Sequence, residues 1–215
     1  MLKIVTVERE YGCGGGEIAQ RLAGQLGWKL WDHLLTEEIA RLANCSKAVV
    51  EQREERTDPL YYRLFKSFLR GSFEGSVNAH KLNLVDSENI FKMTQRVVLH
   101  VANKGDCVIV GRGSQLFLSN RADTLRVFLY APTEDKVRRL LYRGKTEKEA
   151  RELVDTVDRE RAGFIEKYFH VEWPDRPVYH VMLNTAVGDE TVVQTVVNFM
   201  KSFDSKFNDS KTDTP

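Results

Sequence analysis

The sequence predicts an α/β fold, a parallel sheet with helices on both faces. Three observations carry this. Short apolar, β-branched runs of strand length alternate with longer amphipathic stretches of helical period. The chain opens as strand, glycine-rich loop, helix, strand, the order of a parallel βαβ unit. At 215 residues, 42% hydrophobic and 29% charged, it has enough apolar material for one domain core, with room for a small inserted subdomain.

The first strand is read at Lys3–Val7, too short for a signal peptide and without a small-residue cleavage site. A helix over Glu17–Leu26 follows from Ile18, Leu22 and Leu26 at a spacing of four, with Ala19 and Ala23 beside them; Gly27 stops it. Trp28–Trp31 is the second strand, ending at Asp32. The stretch from about 35 to 86 reads as a mobile helical insertion: Thr36–Ala43 and Ser46–Arg56 look helical, and Leu60–Leu69 is aromatic-rich. Ser87–Val101 is a helix with Ile90, Phe91, Val97, Val98 and Val101 as its apolar stripe. Cys107–Arg112 and Leu125–Ala131 are the third and fourth strands, the latter closed by Pro132. Thr133 is expected to cap the next helix, with Glu134 and Asp135 in its first turn and Arg138, Arg139 and Arg143 towards its end. Thr146 and Glu149 make a capping box for a long helix to about Tyr168. Tyr179–Leu183 is the fifth strand and Glu190–Phe203 the last helix. The result is one domain over 1–205 and a disordered tail over 206–215, rich in Asp, Ser, Thr and Lys.

Composition narrows the function. Thirty-two basic against thirty-one acidic residues leave a net charge of +1, against general nucleic-acid coating. No apolar run reaches the length of a membrane span. Cys13, Cys45 and Cys107 are odd in number and lack metal spacing, which fits a reduced, cytoplasmic protein without structural zinc. His33, His80, His100, His170 and His180 form neither triad nor metal pattern and read as structural or exposed.

Ligands of open α/β sheets bind at the carboxyl ends of the strands. Three polar groups fall there: the loop after strand one, Asp32 after strand two, and Gly111-Arg112-Gly113 after strand three. In the first loop, glycine fills four of the five positions from Gly12 to Gly16, ahead of a helix. Its bare N–H groups suit a phosphate; the alternative is a plain flexible turn. Aligned on the helix start, the pattern G-x-x-x-x-G-K-[ST] puts Arg9 at the first glycine and Gly14 at the second, with Gly15 for the lysine and Gly16 for the hydroxyl residue. Both phosphate-handling side chains are therefore missing.

Arg112, at the end of an apolar strand, offers a planar fork for phosphate. Arg161 stands on the apolar stripe Ala150, Leu153, Val154, Val157, Phe164, Ile165 and Tyr168, where a charge needs a partner. Asp158, three residues earlier, supplies it either as a structural ion pair or as a second pocket residue. Arg138, Arg139 and Arg143 either clamp phosphates or satisfy a helix end. Tyr61, Tyr62, Phe65, Phe68 and Phe73 form either the core of the insertion or a docking face for a partner.

Arg9-Glu10-Tyr11-Gly12-Cys13-Gly14-Gly15, Ile18-Ala19, Asp32 after Trp31, Val108–Arg112, Val127–Pro132, Asp158–Arg161 and Asn184-Thr185 together resemble the cytidylate kinase-like family of P-loop proteins, in order over about residues 1 to 200. The resemblance implies a P-loop nucleoside-monophosphate-kinase fold: a three-layer sandwich with a five-stranded parallel sheet ordered 2-3-1-4-5. The insertion over 35–86 would bind the monophosphate and a lid would lie over about 139–161. In true cytidylate kinases a Gly-Arg-Asp motif after strand three meets the monophosphate. Arg112 matches its arginine, while Gly113 replaces the aspartate. Asp158 and Arg161 match an Asp-x-x-Arg that contacts the cytidine nucleotide.

The implied activity is transfer of the ATP γ-phosphoryl to a CMP-like nucleoside monophosphate or other small acceptor, with ATP and Mg²⁺ required. Arg9, Gly12, Cys13, Gly14, Gly15, Gly16 and Glu17 would bind the donor. Asp32, Arg112, Asp158 and Arg161 would bind the acceptor. Arg112, Arg161 and Arg139 would be catalytic, with Arg9, Arg112, Arg161 or a lid arginine replacing the lost lysine and Glu17 or Asp32 meeting Mg²⁺ through water. Small phosphorylated ligands are the expected partners, without nucleic acid or membrane; a homodimer stays open. The glycines at 15 and 16 equally suit a non-catalytic nucleotide or phospho-metabolite sensor.

Overall fold

In a computed structural model the described residues are 1–35, 37–39 and 87–209. The expected helices after Thr36, the aromatic cluster Tyr61–Phe73 and most of the insertion lie outside them, as does the end of the tail.

Five strands make one parallel sheet: β1 (Ile4–Arg9), β2 (Lys29–Trp31), β3 (Cys107–Val110), β4 (Thr124–Tyr130) and β5 (Val181–Asn184), in the order β2-β3-β1-β4-β5. β1 is central, with Val5 opposite Val108 on one side and Leu125 on the other. All six of its residues are buried, the condition of a strand covered on both faces.

The helices are α1 (Gly15–Leu26), α2 (Ser87–Lys104), α3 (Ser114–Phe117), α4 (Thr133–Tyr142), α5 (Glu147–Phe169) and α6 (Asp189–Asp209). Strand side chains alternate between two cores. Val5, Val7, Val108 and Val110 pack with Ile18 and Leu22 of α1 and Val193 and Val196 of α6. Ile4, Cys107 and Ile109 face the other way, with Val98 and Val101 of α2 and Phe164 and Ile165 of α5. A third cluster joins Tyr11 to Val137 and Leu140 of α4 and Ala150, Val154 and Val157 of α5. It fastens α4 and α5, which overlap the lid expected over about 139–161, against the first loop.

The elements follow the sequence with local shifts. α1 begins at Gly15, two residues early. Pro132 holds the cap position of α4 without a side-chain bond, so Thr133 is the first helical residue and not its cap; proline's fixed φ suits that flanking site. The capping box of α5 forms as read, with Thr146 and Glu149 reciprocally bonded. Tyr179 precedes β5, and α6 runs to Asp209, into the segment expected to be a disordered tail. No described helix is long and apolar enough to cross a membrane.

Candidate functional site

The first loop ends β1 and starts α1 at the carboxyl edge of the sheet. Gly14 is the cap of α1 in the left-handed conformation, φ 83°, open to glycine at little cost. The loop is held from three sides. The Tyr11 N–H donates to Asp158 Oδ1 at 2.7 Å. The Thr185 hydroxyl donates to the Cys13 carbonyl at 2.6 Å. Arg161 Nη1 donates to the Arg9 carbonyl at 2.9 Å and lies 3.3 Å from Asp158 Oδ1.

Missing side chains on this loop make room for basic ones. A Cβ on Gly12 would stand 3.1 Å from the Lys136 Cβ; one on Gly14 would run into the Arg139 guanidinium; one on Gly15 would stand 2.8 Å from the Cβ and Cγ of Arg9. Away from the site, Gly24, Gly27 and Gly144 have nothing within 4 Å of that position.

The turn after β3 is built differently. Gly111, Arg112 and Gly113 are all left-handed, with φ of 63°, 62° and 66°. For arginine this backbone is strained, at a cost of about 1–2 kcal/mol. It turns Arg112 inward, to 2% exposure. Burial pulls its pKa down to about 9, against the nearby Asp32 carboxylate, and the Arg9 and Arg161 charges lower it further. Arg161 is likewise lowered to about 10, first by burial and then by Arg9, with Asp158 opposing. Three arginines thus converge inside one sheet edge, each desolvated and two weakened by the others. Each is also faced by a carboxylate, Arg9 by Glu8, Arg112 by Asp32 and Arg161 by Asp158, which offsets part of the repulsion.

Asp158 is the hub on the opposite side. Burial raises its carboxyl to about 6 despite Arg161 and Lys136. Lys136 Nζ lies 2.5 Å from Glu10 Oε2 and 3.5 Å from Asp158 Oδ2. Lys136 and Glu8 carry no motif, and sequence reasoning passed over them; Glu10 stood in the first-loop motif without a role. The available signal for Lys136 was its place on the same helix face as Leu140, one turn later. Glu8 binds the Arg9 amide at 3.0 Å and accepts from Gln115 Nε2 at 3.2 Å.

Of the other expected residues, Arg139 crosses Gly14 to Asp189, with Nη2–Oδ1 at 2.6 Å, which holds its charge on. Arg143 pairs with Glu17. Arg138 is two-thirds exposed and pairs with Asp135 on its own helix, so only Arg139 of that basic trio reaches the loop. Cys13 is buried, its thiol pushed up to about 12 by burial, so it presents no thiolate. Cys13 and Cys107 are both unpaired thiols.

The glycine-rich loop and the buried arginines lie side by side at the carboxyl edge of the sheet. Of the two carboxylates expected to meet Mg²⁺ through water, Asp32 lies beside Arg112. Among the described residues no three His, Cys, Asp or Glu side chains gather as a cage. Gly16 brings no hydroxyl, and Glu17 is engaged by Arg143.

Comparison with known proteins gives a family and a fold. The family model of the cytidylate kinase-like family matches residues 4–187. An uncharacterized protein from Eubacterium ventriosum has the same fold at TM-score 0.68 and 22% identity, over 94% of this chain and 99% of that one. A shikimate kinase from Acinetobacter baumannii, solved with shikimate, follows at TM-score 0.52 and 18% identity, over 94% of both chains. At these identities the structures speak for the fold. No curated protein matches. The chain belongs to the cytidylate kinase-like family.

Proposed function

We propose that this member of the cytidylate kinase-like family transfers the γ-phosphoryl of ATP to a small anionic acceptor, of which a nucleoside monophosphate is the first to test. The observation that carries the reading is the convergence of Arg9, Arg112 and Arg161, all about nine-tenths buried or more, beside a glycine loop that opens a helix. Charge neutralisation and positioning are most of what phosphoryl transfer asks of a protein.

The N–H groups of Gly12 to Gly16 receive the donor phosphates. Arg112 faces the acceptor from the end of β3. Asp158 and Arg161, assigned to the acceptor by resemblance, here hold Tyr11 and Arg9, and so set the shape of the donor loop. Arg139 lies across Gly14, where it meets the donor. In the step itself the bond from the γ-phosphorus to the bridging oxygen breaks, its electron pair leaving with ADP. An acceptor phosphate oxygen supplies the pair for the new bond, and an ionised monophosphate releases no proton. Mg²⁺, if it accompanies ATP, is carried by phosphates and water, so the protein's share of the cationic work falls on its arginines.

A phosphorus NMR time course with ATP, Mg²⁺ and a panel of nucleoside monophosphates tests this. Diphosphate signals with one acceptor, lost in Arg112→Ala, are expected. The second reading, a nucleotide or phospho-metabolite sensor, is favoured by glycine at both positions 15 and 16. It predicts broadened ATP resonances and no new signals. Neither turnover nor broadening would sink both.

A further inference from the structure

Two positions that flank the first loop have exchanged their chemistry. Where the phosphate-binding pattern has its first glycine this chain has Arg9, and where the pattern has its lysine it has Gly15. The structure ties the two substitutions together. A Cβ on Gly15 would lie 2.8 Å from both Cβ and Cγ of Arg9, closer than side-chain atoms pack. The stem of Arg9 therefore fills the space in which a side chain at position 15 would begin. Arg9 as it stands and a side chain at 15 compete for one space.

The head of Arg9 continues towards the acceptor side. Its Nη1 occupies the place of a Cβ on Gly111, beside Arg112. Arg9 is 5% exposed, its Nε is buried with no hydrogen-bond partner, and Nη1 is 3.4 Å from Glu8 Oε1. A buried N–H without a partner is costly, and this one lies between the donor loop and the turn of the acceptor arginine.

We infer that Arg9 is the cation that replaces the missing lysine, entering the site from the end of β1 instead of from the first turn of α1. Gly15 and Gly111 are the two vacated places that let it in. This rests on the reading of the loop as a donor site. Arg9 gives and takes no proton; it neutralises the charge growing on the bridging oxygen as the γ-phosphoryl departs.

The test is a cycle of Arg9→Gly, Gly15→Lys and the double variant, with melting temperature, ATP affinity by calorimetry and transfer rate as readouts. Gly15→Lys alone should melt lower than wild type, because two stems compete for one space. In the Arg9→Gly background the same lysine should be tolerated, should restore ATP affinity, and should recover transfer lost about 10²–10³-fold in Arg9→Gly. If Arg9→Gly does not fold, Arg9→Gln keeps the stem and removes the charge, and should show the same loss.

Equal destabilisation by Gly15→Lys in both backgrounds would overturn the exchange. So would unchanged ATP affinity in Arg9→Gly or Arg9→Gln. In either case a wild type that binds ATP leaves the donor-site reading standing. A wild type that binds no ATP removes that reading, and the role of Arg9 with it.

Discussion

The two glycine-rich turns at the sheet edge use glycine in opposite ways. In the first, Gly14 and Gly15 admit cations from elsewhere, the head of Arg139 and the stem of Arg9. In the second, Gly111 and Gly113 flank a cation of the turn itself, and Arg112 takes the left-handed backbone with them. The first turn is a receptacle and the second a presenter. Arg9 joins them, rooted at Gly15 and ending at Gly111. A glycine cluster can thus mark where side chains from other elements arrive as well as where a ligand lies.

The largest expected effect breaks the support beneath the first turn. Arg161→Ala removes the buried donor to the Arg9 carbonyl and the partner of partly buried Asp158. It should cost about 3–5 kcal/mol in chemical denaturation. A loss below about 1 kcal/mol would mean the turn stands without it.

Next, Gly111→Ala and Gly27→Ala separate space from backbone. Both glycines are left-handed, but only Gly111 has Arg9 in the place of its Cβ. Gly27→Ala should cost about 1 kcal/mol for φ alone. Gly111→Ala should cost about 1–3 kcal/mol more from overpacking. Equal melting shifts would show that the arginine yields freely.

The fold was legible because apolar runs, helix faces and caps are local signals, and the parallel sheet followed from their alternation. The loop, Arg112, and the pair Asp158 and Arg161 were legible as charges at strand ends or on an apolar stripe. The rest was not. Nothing local says that Lys136 reaches Glu10 and Asp158, or that Arg139 finds Asp189 fifty residues on. These ties are made by packing α4 against α5 and α6's start. Nor does sequence order reveal that Arg9 lies in the space of position 15.

A pH profile sharpens the comparison further. Asp158, faced by Arg161, Lys136 and Glu10, has its carboxyl raised from 3.8 to about 6. Below pH 6 it protonates, its grip on Arg161 and Lys136 weakens, and ATP affinity should fall with a midpoint near pH 6. Asp158→Asn should keep only the shallower fall that protonation of the terminal phosphate of ATP imposes in that range. The stability effect has the opposite sign. Between pH 4 and 6 the folded state holds the extra proton, so this group's contribution declines as pH rises through that window. Asp158→Asn should lack that decline.

The smallest effect is expected from Arg138→Ala. Its pairing with Asp135 is on the surface, and its loss should move stability by no more than about 0.5 kcal/mol and leave ATP affinity unchanged. A marked loss of affinity would return Arg138 to the site.

The most direct measurement is a calorimetric titration of ATP and of inorganic tripolyphosphate into wild type and Arg9→Gln. If the cations in the vacated glycine places form a phosphate site, both anions bind one to one, and both weaken at least about tenfold in the variant. Equal affinity in the two proteins, or no heat from either anion at millimolar concentration, would contradict it.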